Sequence, residues 1–428
     1  MMTKLRIILM AAVILFLSDI TDTYAQYQSI VMSSRWFHPV DSKDPYRTLS
    51  AFKDYKADRI DWMYNDNINQ LNLLQKANIK YSLTLNPQIP DSNGYSTVKT
   101  RIIDINGKPC VAPWMVNWIS KNPYWGCVNN PKFKKVFVDK GKQIVDLGAY
   151  GIMVDDARFN DHAAEWGGCF CKYCIEGFRG FLQQQNILVK SDFNFRKYLK
   201  SHPQDKYYTS LYKSFQKQSV VNFLKSWKLS IRKYSNNSIS FLTNNGGGKW
   251  DEIYQVFDIG IAEIMTERTS FDQLHSTIIL SEKLGKKQVF SYASANSDLN
   301  ISYYLYCYLN NTEALIPWDL WLNDPVNRNA RLYTPVSDIV KVIDFIKKYG
   351  FEFKGLLNAG LYTKNLAVNP KFSKILKTRD GHEYLILLND SKENLINTAP
   401  LNSSFVPIIS GTKVGNSYKG FVILQKII

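Results

Sequence analysis

Eight short apolar runs punctuate the first three-quarters of the chain, and each gives way to polar or aromatic residues at its C-terminal end. They are Ile30 to Phe37, Ala57 to Tyr64, Ile79 to Leu85, Gly151 to Val154, Ile239 to Thr243, Phe257 to Ile264, Gln288 to Tyr292 and Ala314 to Trp318. Helix-like patterns fill the intervals: Ile68 to Lys76, Phe133 to Leu147, Ile175 to Gln185, Val220 to Lys233 and Leu274 to Leu284, with a last one near Val336 to Lys348. Strands alternating with helices predict parallel βαβ units. Eight units, with no glycine-rich dinucleotide fingerprint after the first strand, predict an α/β chain folded as a closed (β/α)8 TIM barrel rather than an open doubly wound sheet. In such a barrel the loops after the strands build the active site, so the polar ends of the runs mark where chemistry belongs.

Beyond about residue 361 the pattern changes. Tyr384 to Leu388 followed by Asn389-Asp390 reads as a strand and turn, Arg379-Asp380-Gly381 as a hairpin signal and Gly420 to Ile428 as another strand. The expected division is a barrel over 26–361 and a small antiparallel, β-sandwich-like domain over 362–428. Residues 1–25 read as a secretory signal peptide: Lys4 and Arg6, an apolar run from Ile7 to Leu17, then Thr23-Tyr24-Ala25. The run is too short to span a bilayer, which takes about 20 apolar residues, and no later stretch reaches that length. Residues 26–428 are therefore expected to be exported, periplasmic or extracellular, without a membrane span.

The formal net charge is +16. The basic residues are dispersed in small groups such as Lys132-Phe133-Lys134-Lys135, which predicts a solvated basic surface and no nucleic-acid groove. Aromatic residues make up 14% of the chain, in keeping with a carbohydrate partner whose rings stack on aromatic faces. Nothing in the chain sets an oligomeric state or calls for an organic cofactor.

Glycoside cleavage needs two carboxyl groups flanking the scissile bond. The strand ends offer Asp155 and Asp156 after the fourth run, Glu263 within the sixth, Glu267 just beyond it and Asp319 after the eighth. Period-two alternation sends Asp155 toward the barrel axis with Met153 and leaves Asp156 at the rim. If the small Gly260 and Ala262 line the barrel, alternation places Glu263 outside with Ile261, and a bulge is needed to bring it in; Glu267 is the fallback. Trp36, His38, Asn86, Asn244, Tyr292, Trp318 and Asp319 sit where they would line sugar subsites.

Cys127, Cys169, Cys171 and Cys174 bracket the fourth strand. Export permits two disulfides. Three thiols within six residues are hard to pair without strain but close readily around one metal, so a structural tetrahedral zinc is the favoured reading. Cys307, in an apolar helix-like run, reads as a core thiol.

The stretch from Trp125 to Leu182, with one Cys before strand four, Cys169-x-Cys171-x-x-Cys174 after it and Ile175-Glu176-Gly177-Phe178-Arg179-Gly180-Phe181-Leu182 beyond, resembles the bacterial β-galactosidases whose barrel carries a four-cysteine zinc site. The rest is similar to glycoside hydrolase barrels only in pattern. The resemblance implies the fold and the zinc. It does not carry the catalytic pair, because Ala157 stands where that family has its acid/base Glu, and strand seven ends Phe290-Ser291-Tyr292-Ala293 without a carboxylate. An acid after strand four paired with one after strand six resembles instead the retaining α-glycosidases such as α-galactosidases, which implies Asp155 as nucleophile and Glu263 as proton donor. Three functions stand on this reading: an exported glycoside hydrolase, its rival a catalytically silent carbohydrate-binding barrel, and, behind both, a structural or partner-binding surface protein.

Overall fold

A computed structural model describes residues 29–33, 47–64, 66–88, 100–121, 123–292, 294, 296–317, 336–349, 357–358, 370–378 and 381–427. Its contacts divide the chain into two compact units, one of Ser29–Val340 and one that includes Lys341–Ile428. The expected boundary at 361/362 and the leader over 1–25 lie outside the described residues.

In the first unit the strands β1 (Val31–Ser33), β2 (Arg59–Met63), β3 (Lys80–Leu85), β4 (Gly151–Val154), β5 (Ser240–Asn244), β6 (Ile259–Ile264), β7 (Lys287–Tyr292) and β8 (Glu313–Pro317) pair in sequence order, all parallel, and β8 closes on β1. The fold is thus the expected eight-stranded barrel. The helices are α1 (Arg47–Asp54), α2 (Ile68–Lys76), α3 (Pro131–Asp146), α4 (Phe159–Ala163), α5 (Lys172–Gln184), α6 (Phe195–Ser201), α7 (Lys206–Tyr234), α8 (Phe271–Lys283), α9 (Ser297–Leu309) and α10 (Val336–Tyr349). Their starts follow capping chemistry. Asn67, Asn130 and Asp205 accept from the first backbone N–H groups of α2, α3 and α7, and Ser270 and Gln273 form a capping box on α8. No helix among the described residues is long and apolar enough to cross a membrane.

The barrel interior is packed by Val31, Trp62, Met153, Leu242, Ile261, Val289 and Leu315, with Tyr64 and Ile259 against them. Below this layer, at the strands' N-terminal ends, lies a buried ionic cluster. Arg59 Nε donates to Asp61 Oδ2 at 2.9 Å and Arg59 Nη1 to Glu313 Oε1 at 2.9 Å, while Lys287 Nζ reaches Glu313 Oε1 at 2.7 Å. Burial pushes the Glu313 carboxyl up, but Arg59 and Lys287 override it and hold the group below the usual carboxylate range. These charges fill the N-terminal end of the barrel, and in this fold chemistry sits at the opposite, C-terminal end.

The second unit carries an antiparallel five-stranded sheet in the order β13 (Phe405–Ser410), β16 (Phe421–Lys426), β11 (Glu383–Leu388), β10 (Phe372–Lys377) and β9 (Leu357–Asn358). A three-stranded sheet runs β12 (Leu395–Asn397), β15 (Ser417–Lys419), β14 (Lys413–Val414). Ile375, Leu385, Leu387, Ile396, Val422 and Leu424 form its core.

Candidate active site

Asp155 follows Met153 by two residues and so points the same way, up the barrel axis at the C-terminal mouth. Its backbone N–H donates to Leu85 O at 2.9 Å, extending the β3–β4 ladder and fixing the carboxylate's base. Three donors converge on the side chain. Tyr64 Oη donates to Oδ2 at 2.5 Å, Asn244 Nδ2 to Oδ1 at 3.0 Å and the Asp156 N–H to Oδ1 at 3.0 Å. They fix its orientation and stabilise its negative charge.

Glu263 also faces inward, for a reason opposite to the one expected. Ile259 and Ile261, not Gly260 and Ala262, line the barrel. Gly260 faces the helix layer, where a Cβ would lie 2.7 Å from Trp250 Cζ2 and 2.5 Å from Asn245 Nδ2, so the glycine makes room for an indole. With β6 in this phase, plain alternation carries Glu263 to the mouth, and the β6–β7 register runs unbroken from Ile259↔Lys287 to Ile264↔Tyr292 without a bulge. Asn244 then joins the two acids: its Nδ2 donates to Glu263 Oε2 at 3.0 Å as well as to Asp155. Two oxygens that share one amide nitrogen are at most about 6 Å apart, which admits the separation of about 5–5.5 Å at which retaining glycosidases hold their carboxyls and falls short of the inverting range, about 6.5–9.5 Å. Glu267, the fallback, accepts instead from Ser294 Oγ in the loop after β7.

Tyr64 was not foreseen, because a bulge places it. Between Ile60↔Tyr81 and Met63↔Leu83, β2 carries one residue more than β3. Trp62 absorbs it at φ 61°, a left-handed conformation rare for a bulky side chain. Asp61 belongs to the ionic cluster below. The bulge resets the phase so that Trp62 still enters the barrel core and Tyr64 reaches the mouth. Burial, then the neighbouring Asp155, push the Tyr64 phenol well above its usual range, so it stays a proton donor to Asp155.

Asp156 sits at φ 51°, a conformation Asp tolerates, and is half-buried. Burial first, then the charges of Asp155 and Glu263, raise its carboxyl well above the usual range. It forms no ion pair with Arg158, which binds Asp161 at 2.6 Å and Glu165 at 3.5 Å. A folded-state value above the unfolded one gives stability that is fully present below the unfolded pKa and is lost as pH rises through the folded one. At neutral pH the charge therefore opposes folding. Asp156→Asn is expected to raise Tm at pH 7 by roughly 2–4 °C, about 1–2 kcal/mol, with no gain at pH 3. Thermal melts of both proteins from pH 3 to 8 check this, and an equal offset at every pH excludes the electrostatic origin.

The remaining expected subsite residues divide. Asn86 accepts from Gln88 N at 2.9 Å and its side chain also hydrogen-bonds Tyr64. Asn244 is the bridge just described. Tyr292 pairs in register with Ile264 and is 1% exposed, and its neighbour Ser291 is the residue that pairs with Glu263. Trp36, His38, Trp318 and Asp319 lie outside the described residues.

Beside the mouth the four cysteines meet. The sulfurs of Cys127, Cys169, Cys171 and Cys174 all lie within 4.8 Å of one another and are buried. Cys127 Sγ is 3.4 Å from Cys174 Sγ and 3.7 Å from Cys171 Sγ. A disulfide needs about 2.05 Å, whereas the edge of a tetrahedron with metal–sulfur bonds of about 2.3 Å is about 3.8 Å. All four thiols are free. Amide donors are aimed at the sulfurs: Asn160 Nδ2 to Cys127 at 3.3 Å and Asn129 Nδ2 to Cys174 at 3.3 Å, with Gln216 Oε1 accepting from Asn160 at 2.9 Å. Such donors compensate thiolate charge, so the donor set and its surroundings fit a metal ion with four protein ligands. Gly126 lets the Cys127 loop press on Phe133, since a Cβ there would lie 1.9 Å from the ring.

No protein-family model matches the chain, and no curated protein matches it. Solved structures similar to it include Eubacterium rectale Amy13B (7% identity, 94% of this chain and 96% of that one, TM-score 0.46). The Bacillus licheniformis trehalose-6-phosphate hydrolase TreA is 10% identical over 94% of this chain and 99% of its own, with TM-score 0.44. The catalytic domain of the Paenibacillus polymyxa beta-amylase is 10% identical over 74% of this chain and 98% of its own, with TM-score 0.44. Similarity at this level leaves the chemistry to be argued from the residues themselves.

Proposed function

We propose that the chain is an exported, retaining glycoside hydrolase with a structural zinc in its four-cysteine site. The observation that carries this reading is the Asn244 amide spanning Asp155 and Glu263 at the barrel mouth. Asp155 attacks the anomeric carbon as Glu263 protonates the departing glycosidic oxygen, giving a glycosyl ester on Asp155 and a free alcohol. Glu263, now a carboxylate, takes a proton from water, and the resulting hydroxide opens the ester with a second inversion. Tyr64 holds the nucleophile in place and returns charge stabilisation to it when the ester breaks. Asp156, beside the pair, is the group we assign to hydrogen-bond a sugar hydroxyl. Zinc would be held by Cys127, Cys169, Cys171 and Cys174, and with all four positions taken by protein it would act on the fold and not on the substrate.

The test is a screen of aryl glycosides and oligosaccharides, with the anomer of the first product read by NMR. Turnover with retention is expected. Inversion would remove Asp155 as nucleophile, and the absence of turnover across the panel would leave the silent sugar-binding barrel.

A further inference from the structure

We infer that a cluster of rings beside the mouth is a distal subsite that grips a sugar unit away from the cleaved bond, so that the ligand is a chain of several units rather than a short glycoside. The cluster is built by the loops that flank β4. Trp114 belongs to the 3-10 turn over Pro113–Lys121, Trp125 precedes Cys127 by two residues, His162 lies on α4 and Trp166 just beyond it. The four rings all touch: Trp114 lies 5.0 Å from His162 at 31°, Trp114 and Trp166 are 6.3 Å apart, and Trp125 meets Trp166 edge-on at 5.2 Å. Trp125 is fully buried, yet Trp114, the outermost, is 50% exposed.

Such a bed holds one large flat apolar ring rigidly toward solvent. The apolar face of a pyranose stacks on it at little entropic cost because the indole is already fixed. Polar groups surround it: Glu165 and Arg158 are ion-paired at 3.5 Å on the rim, and Glu165 also reaches His162 Nε2 at 3.6 Å. The indole N–H groups of Trp125 and Trp166 are buried without an acceptor among the described residues, and buried indoles ordinarily find one. The cluster stands on the same segments that carry the carboxylates: His162 is six residues past Asp156, on the helix that follows β4.

The subsite owes its place beside the carboxylates to the hydrolase reading, but it is tested through binding. Full-length Asp155→Asn protein is run in native gels containing soluble starch, xylan, galactomannan or chitosan, alongside Asp155→Asn/Trp114→Ala and Asp155→Asn/Trp114→Phe. Retardation by at least one polysaccharide, weakened about tenfold in apparent Kd by Trp114→Ala and largely restored by Trp114→Phe, is expected. Equal retardation of all three proteins, or none in any gel, overturns the subsite. Binding that depends on Trp114 in a protein that cleaves nothing would sink the hydrolase and keep the subsite.

Discussion

Asp155→Asn is expected to lower kcat on any glycan the wild type cleaves by roughly four orders of magnitude, a rise in barrier of about 5–6 kcal/mol. An amide is too poor a nucleophile to form the glycosyl ester, and the rest of the site cannot substitute for that step. The fold should persist. The new side chain keeps one oxygen for the Asn244 amide and the Asp156 N–H, and only the bond from Tyr64 has to be rearranged. Removing a charge beside Asp156 also relieves the repulsion that raises its carboxyl, so the variant should melt within a few degrees of wild type and Asp156 should titrate lower. Stereochemistry separates the two acids. In Asp155→Ala, azide attacks the anomeric carbon directly and yields a glycosyl azide of inverted configuration. In Glu263→Ala, aryl glycosides with good leaving groups keep much of their rate, and azide yields a retained product. Wild-type turnover by Asp155→Asn removes it as nucleophile, and the opposite azide stereochemistry exchanges the two roles.

Much of this architecture was legible because strands buried on both faces read as short, nearly continuous apolar runs that end in polar residues. Gly151–Val154 and Ile68–Lys76 coincide with β4 and α2. What escaped were matters of phase and of local breaks. Small residues such as Gly260 and Ala262 suit either face of a strand. Only the docking of Trp250 against Gly260 decides that Ile261 lines the barrel and Glu263 the mouth. The β2 bulge leaves no mark in Asp61-Trp62-Met63, because Trp62 is a residue that normally avoids positive φ, and so Tyr64 was invisible. Arg59 and Glu313 lie 254 positions apart, and nothing local announces their ion pair. The helix over Lys206–Tyr234 was read only from Val220, because its first half is rich in Tyr, Ser and Lys and its apolar stripe is thin.

Loss of the metal should have the largest effect on the fold. Structural zinc in small four-ligand sites is worth about 10–16 kcal/mol near neutral pH, as much as the whole net stability of a typical domain, about 5–15 kcal/mol. The barrel has a large core of its own, so part of that energy is redundant. Cys174→Ser is nevertheless expected to lower Tm by more than 10 °C, and prolonged chelation to do the same in the wild type. Metal analysis should find zinc bound to the purified protein, and thiol-specific labelling should find these four cysteines protected by metal and released by acid. Metal-free protein lighter by about 4 Da, the loss of four hydrogens on forming two disulfides, overturns the site. Activity should fall together with stability rather than after it. Asn160 donates to Cys127 and accepts from Val128 N, and it lies on α4, four residues beyond Asp156. Loss of the metal is therefore expected to loosen the loop on which Asn160 is held, and with it the turn that sets Asp155 and Asp156 at the mouth.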